Sequence, residues 1–151
     1  MITLLLSILL SACSCWGEKT FLDRMNYYLS CDVDSLVHVH AIPVFKDISS
    51  GEVFSDDSLP VVVACLLAPL DGEYSETTSY YLYRILANQE NNQRQIKKAL
   101  YCLPSDRKEK AIKTLSILLH YEYSMDHAAD DLSTFRESFK YLYKQGYLLL
   151  P

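Results

Sequence analysis

The sequence predicts a mainly α-helical fold, one small domain of about five helices, and three observations carry that prediction. Half of the residues are apolar, 22% are charged and only four are glycine, a composition that packs into a globule rather than staying disordered. Beyond residue 20, apolar positions recur mostly at three- and four-residue spacing, the period of a helix. The breaks between these runs leave one stretch of body, residues 20–151, enough for a single core and too short for two.

Taken in order, Thr20 is placed to cap a helix over residues 21–30, with Phe21, Leu22, Met25, Tyr28 and Leu29 on one side. Between Ser35 and Ile42 the alternation of Val37, Val39 and Ala41 with His38 and His40 suits a strand, though the stretch is short enough for a helix, and Pro43 should end it. A short β-hairpin around residues 36–54, turning at Ser49, Ser50 and Gly51, is therefore expected, with a mobile loop as the alternative. Ser58 should cap an apolar helix from Leu59 to Leu67, with Pro60 tolerated in its first turn, and a helix apolar all round belongs at the centre.

The segment from Thr78 to Leu103 is apolar at both ends and polar across Asn88 to Gln95, so it reads as one helix with a solvated waist or as two helices. Pro104 and Ser105 break it before a helix marked by Ala111, Ile112, Leu115, Leu118 and Leu119. So short a connection predicts an antiparallel helical hairpin near residues 80–119. Asp130 and Asp131, beside His127, read as caps for a last helix carrying Leu132, Phe135, Phe139 and Leu142. Gly146 should stop that helix, and the apolar tail from Tyr147 should dock back on the body.

The N-terminus carries an address. Residues 2–10 are apolar and too few to span a bilayer, which takes about 20 residues, so they read as the core of an export signal. Leu10, Ser11, Ala12 and Cys13 then match, at all four positions, the sequence read by a lipoprotein signal peptidase; on those residues the chain resembles bacterial lipoproteins. The resemblance implies that residues 1–12 are removed, that Cys13 carries lipid and that residues 13–19 form an anchor and short linker. Ser14 after the lipidated cysteine implies the outer membrane, facing the periplasm. An ordinary secretory signal cut near Ser14 or Gly17, releasing a soluble protein, is the other reading.

Export makes the remaining cysteines, Cys15, Cys31, Cys65 and Cys102, candidates for disulfides, and four cysteines allow three pairings. Cys65 lies within an apolar run and packs as a small hydrophobe; elimination leaves Cys31 with Cys102.

The chain holds no glycine-rich phosphate loop, no GxSxG, no HExxH and no CxxC, so no cofactor and no catalytic residue is expected. His38 and His40 could share a metal only with further ligands nearby, and none is evident, so no metal site is expected. Charge is uneven: residues 14–92 hold 12 acidic and 4 basic side chains, residues 93–113 hold 7 basic and 2 acidic. Tyrosine is abundant at twelve residues, and Tyr80, Tyr81 and Tyr83 cannot share one buried stripe because successive helical residues sit about 100° apart.

These features put the expected binding surface on residues 80–113, with Arg94, Lys97, Lys98, Lys108 and Lys110 supplying a positive field and Tyr80, Tyr81, Tyr83 and Tyr101 supplying rings. The function they imply is a non-enzymatic, lipid-anchored adaptor that grips an envelope protein. In address, size and helical content the chain is similar to pilotins of secretion systems and to accessory lipoproteins of sensor kinases, with no shared motif beyond the lipid-attachment site. A soluble secreted effector and an enzyme with an unfamiliar site are the alternatives. Nucleic acid does not suit an acidic exported chain with net charge −5.

Overall fold

In a computed structural model, residues 19–127 and 131–150 are described. They form a mainly helical domain around one apolar cluster, and among them no strand occurs. The export signal, Cys13, Cys15 and Asp130 lie outside the described residues.

Residues 19–30 form helix α1, which buries Met25 completely and ties down its neighbours with two polar contacts. The Arg24 guanidinium bonds the Asp57 carboxylate at 2.8 Å, and Arg107 donates to the Asn26 side chain at 2.8 Å. Thr20 is already inside the helix, so it is not the cap expected there.

The expected β-hairpin is absent. Residues Ser35–Ala41 form a π-helical segment that runs directly into α2 (Ile42–Ser49). The Asp32 carboxylate starts it, accepting from the Ser35 backbone N–H at 2.9 Å and from the Ser35 hydroxyl at 2.8 Å. Those bonds hold Asp32 below the usual carboxylate range. The alternation that suggested a strand fails at Val39, which is 61% exposed while Val37 and Ala41 are buried, the spacing of a helical face. Pro43 does not end the element. It stands in the first turn of α2, where the change from π to α pairing asks little of its missing N–H. Past α2 the chain turns at Gly51, whose φ of +101° is open to glycine and costly for other residues. The following loop plugs Phe54 into the core and leaves Val53 in solvent.

Helix α3 (Leu59–Leu67) is buried at every position and is the centre of the domain, packed by the π segment, α5 and α6. Ser58 precedes it without a side-chain cap bond; its hydroxyl meets Ser55 at 3.3 Å instead. Burial pushes the Cys65 thiol up to about 12.

The long polar-waisted segment is two helices, α4 (Gly72–Leu86) and α5 (Glu90–Tyr101), hinged where Asn88 takes a φ of +59°. The waist is a joint rather than a solvated stripe. Asn92 donates to the Ile85 carbonyl at 2.7 Å and Gln93 to the Leu86 carbonyl at 2.8 Å, so α5 satisfies the open end of α4.

Helix α6 (Ser105–Asp126) is longer than the apolar marks alone suggested, and α5 meets it across the short break at Pro104. The hairpin is real in connection but not in packing, because α6 lies mainly on α4 and α3 and touches α5 over a shorter stretch.

The expected last helix is split at the buried Phe139 (φ −120°) into α7 (Leu132–Ser138) and α8 (Lys140–Lys144). Asp131 caps α7 as expected, accepting from the Thr134 N–H at 3.2 Å and the Thr134 hydroxyl at 2.8 Å. Gly146 ends α8 in the left-handed region at φ +76°. The tail then docks: Leu148 is buried and the Leu149 N–H donates to the Ser116 hydroxyl at 2.8 Å.

The expected Cys31–Cys102 disulfide is not formed. Each sulfur turns back along its own helix, Cys31 to the Tyr27 carbonyl at 3.6 Å and Cys102 to the Lys98 carbonyl at 3.4 Å.

Candidate functional site

The outer face of α5 is where positive charge and tyrosine meet. Residues 94, 97, 98 and 101 fall within about 100° of one another around the helix, because spacings of three and four residues return to the same side. Arg94, Lys98 and Tyr101 are exposed and Lys97 is half-buried, while Ile96, Ala99 and Leu100 on the other side anchor the helix in the core. The rigid placement of the face thus comes from its opposite, apolar side.

Tyr101 is 63% exposed, a large ring left in water. Two ammonium groups flank it: Lys97 Nζ stands 5.6 Å and Lys108 Nζ 5.0 Å from the ring centroid. Lys97 also reaches toward Tyr147 of the docked tail, at 5.9 Å. Further along α5, the Arg94 guanidinium lies 4.4 Å over the ring of Tyr141 from α8. Cations held over ring faces at exposed sites contribute about 0.5–1 kcal/mol each, enough to orient a side chain. The result is a strip of alternating cations and phenol rings drawn from α5, α6, α8 and the tail.

Local electrostatics separate the cations by availability. Arg94 donates to Glu90 through Nε at 3.1 Å and again through a terminal nitrogen, and that pairing raises its already high pKa. Lys98 pairs with Asp56 at 3.0 Å, and Lys110 donates to the Leu67 carbonyl at 2.9 Å, where a cation offsets the negative end of α3. Among the described residues, Lys97 and Lys108 meet rings and no carboxylate, which leaves their charge unneutralised by an ion pair. Burial raises the Tyr147 phenol above its ordinary value, keeping it neutral beside them.

Of the sequence-predicted residues, the structure brings Arg94, Lys97, Tyr101 and Lys108 together, keeps Lys98 on the same face but paired with Asp56, and assigns the others elsewhere. Tyr81 is half-buried and stacks on Phe45 with centroids 5.6 Å apart and planes 4° from parallel. Tyr83 packs edge-on against Phe139 at 5.6 Å, and burial raises its phenol pKa. Both rings hold α4 to its neighbours. Tyr80 is exposed on α4, where its hydroxyl accepts from Arg84 at 3.0 Å and its ring meets Tyr81 edge-on. The sequence alone does not mark Tyr141 or Tyr147 as residues of this face. The apolar tail beyond Gly146 was the available signal for Tyr147, since a tail that docks must carry its first ring onto the body.

Next to Arg94, a groove of about 260 Å³ runs between α5 and α8, lined by Asn88, Glu90, Gln93, Glu137, Ser138, Lys140 and Tyr141. Its walls carry both signs of charge, which gives it no preference for an anion or a cation.

The two histidines do not converge. His38 lies 3.8 Å from Asp34 and from Glu73, while His40 packs on Tyr28 at 5.3 Å. Among the described residues no group of three or more His, Cys, Asp and Glu is arranged to hold a metal ion, and no helix is long and apolar enough to cross a membrane. No family model, no curated protein and no solved structure matches this chain.

Proposed function

We propose that the chain is a non-enzymatic adaptor of the bacterial cell envelope, lipid-anchored through Cys13 at the outer membrane and facing the periplasm, that grips an acidic partner protein with the outer face of α5. The observation that carries the binding reading is Tyr101, exposed and set between Lys97 and Lys108. An exposed ring surrounded by cations has the make-up of a contact centre: the ring supplies area at low entropic cost and the charges speed encounter with an acidic surface. The anchoring half rests on the match of Leu10, Ser11, Ala12 and Cys13 to a lipid-attachment sequence.

Metabolic labelling with palmitate tests the anchor. Three acyl chains exceed the two-signal threshold for stable membrane attachment, so wild-type protein should label and fractionate with outer membrane. Cys13→Ser should abolish both or block maturation. Equal labelling of mutant and wild type contradicts the anchor, and unlabelled wild-type protein in the medium supports the soluble secreted form instead.

A further inference from the structure

A second surface, on α6, has the make-up of a contact that the adaptor reading does not use. One side of α6 is buried in the core, yet the apolar Ile117, Tyr121 and Met125 on its outer side are 58%, 42% and 66% exposed. They follow one another at four-residue spacing, so they form a single apolar ridge about 12 Å long on the outside of the helix. Lys113, one step earlier on the same ridge, is exposed and closes it with a positive charge.

We infer that this ridge is the interface of a homodimer in which two copies of α6 pack antiparallel. The ridge is self-complementary in that orientation. A two-fold axis at the level of residue 119 sets Ile117 against the partner's Tyr121, and the partner's Ile117 against Tyr121. The same axis places Lys113, six residues or about 9 Å away, level with residue 125 of the other copy, the last turn of its α6. That turn contains no basic residue and ends on the exposed Asp126. An ammonium from the second copy therefore meets the negative end of a helix dipole whose last turn carries no basic residue, beside the His127 ring that lies 3.1 Å from the Tyr123 carbonyl, and symmetry repeats the contact. A parallel pairing would set Lys113 against Lys113 and forfeit both contacts.

A stable interface takes about 800 Å² from each partner. Three partly exposed side chains with their rim supply less, so the dimer is weak and responds to concentration.

Sedimentation equilibrium of the full chain over a range of concentrations tests the inference. The expected result is a reversible monomer–dimer equilibrium. Lys113→Gln should weaken it by about 3- to 30-fold, the loss of two helix-end contacts, and Lys113→Glu should weaken it further. Ile117→Ser with Met125→Ser should abolish it while leaving the circular dichroism spectrum and melting temperature unchanged, because both residues lie on the surface. Val53→Ser, an exposed change elsewhere, should leave the equilibrium as it was. A chain that is monomeric at every concentration overturns the inference. So does association indifferent to Lys113, Ile117 and Met125, which would then run through another part of the chain, such as the apolar residues 2–10.

Discussion

Gln93 on α5 and Leu142 on α8 are joined by a buried bond in which the Leu142 backbone N–H donates to the Gln93 side-chain oxygen at 3.3 Å. The amide nitrogen of the same side chain donates to the carbonyls of Leu86 (2.8 Å) and Ser138 (3.0 Å), so one residue ties the ends of α4 and α7 and the middle of α8 together. Gln93 is only 2% exposed, and its polar atoms have no exchange with water to fall back on.

Gln93→Met keeps the volume and removes all three bonds. The Leu86 and Ser138 carbonyls keep the backbone N–H groups of Gln89 and Asn88 as donors, at 3.1 and 2.8 Å, so the group left unpaired is the buried Leu142 N–H. Its loss should cost about 1–3 kcal/mol, read as a lower urea midpoint with an unchanged slope. The Arg94–Tyr141 contact should loosen with it, since α8 carries Tyr141. A change below about 0.5 kcal/mol would show that α8 is held by its apolar contacts alone.

The tyrosines divide into core and surface, and substitution should separate them. Tyr81→Ala removes a ring stacked on the fully buried Phe45 and should cost about 1–3 kcal/mol. Tyr101→Ser removes an exposed ring with its two lysine contacts and should cost about 1 kcal/mol, the low end of the range for two exposed cation–ring pairs and less than the buried stack. Thermal unfolding of the two variants, side by side, checks both.

Much of the fold was legible in the sequence, and the misreadings have physical causes. The bounds of α3 followed from an unbroken apolar run between Ser58 and Ala68, and Asp131 and Gly146 marked the ends of the last helical stretch, because caps and left-handed turns are local chemistry. The π segment resembles a strand in sequence because Val37, Val39 and Ala41 alternate over too few residues to separate a strand from a helix, and the Asp32–Ser35 cap that starts it is a helix signal placed before the alternation begins. The polar run from Asn88 to Gln95 suggested solvent exposure, yet Asn92 and Gln93 turn inward to end α4, a role only the tertiary arrangement reveals. At the site, the α5 residues were visible from charge and spacing. Tyr141 was not, because nothing local links it to Arg94.

Acid should unfold the protein partly through its caps. The Asp131 carboxylate is held below its ordinary value first by the Thr134 hydroxyl, then by the Ser133 hydroxyl and the Thr134 backbone N–H. A carboxylate whose folded value lies below its unfolded one stabilises fully above the unfolded value, near 3.8, and loses that stabilisation as pH falls through the folded value. Asp131→Asn, which keeps a cap but cannot titrate, should therefore make stability less steep in pH below about 4, while changing little at pH 7. Melting temperatures from pH 2 to 7 for both proteins check this, and parallel curves would contradict it.

The central claim is that the outer face of α5 is the partner-binding surface, and site-specific photo-crosslinking in intact cells tests it most directly. A photoreactive residue in place of Tyr101 should give a discrete adduct with an acidic envelope protein, and one in place of Val53 should not. Lys97→Glu with Lys108→Glu should abolish the Tyr101 adduct, and raised salt should weaken it, since among the described residues these two cations meet rings and no carboxylate. No adduct at position 101, or an adduct indifferent to the double charge reversal, would contradict the account.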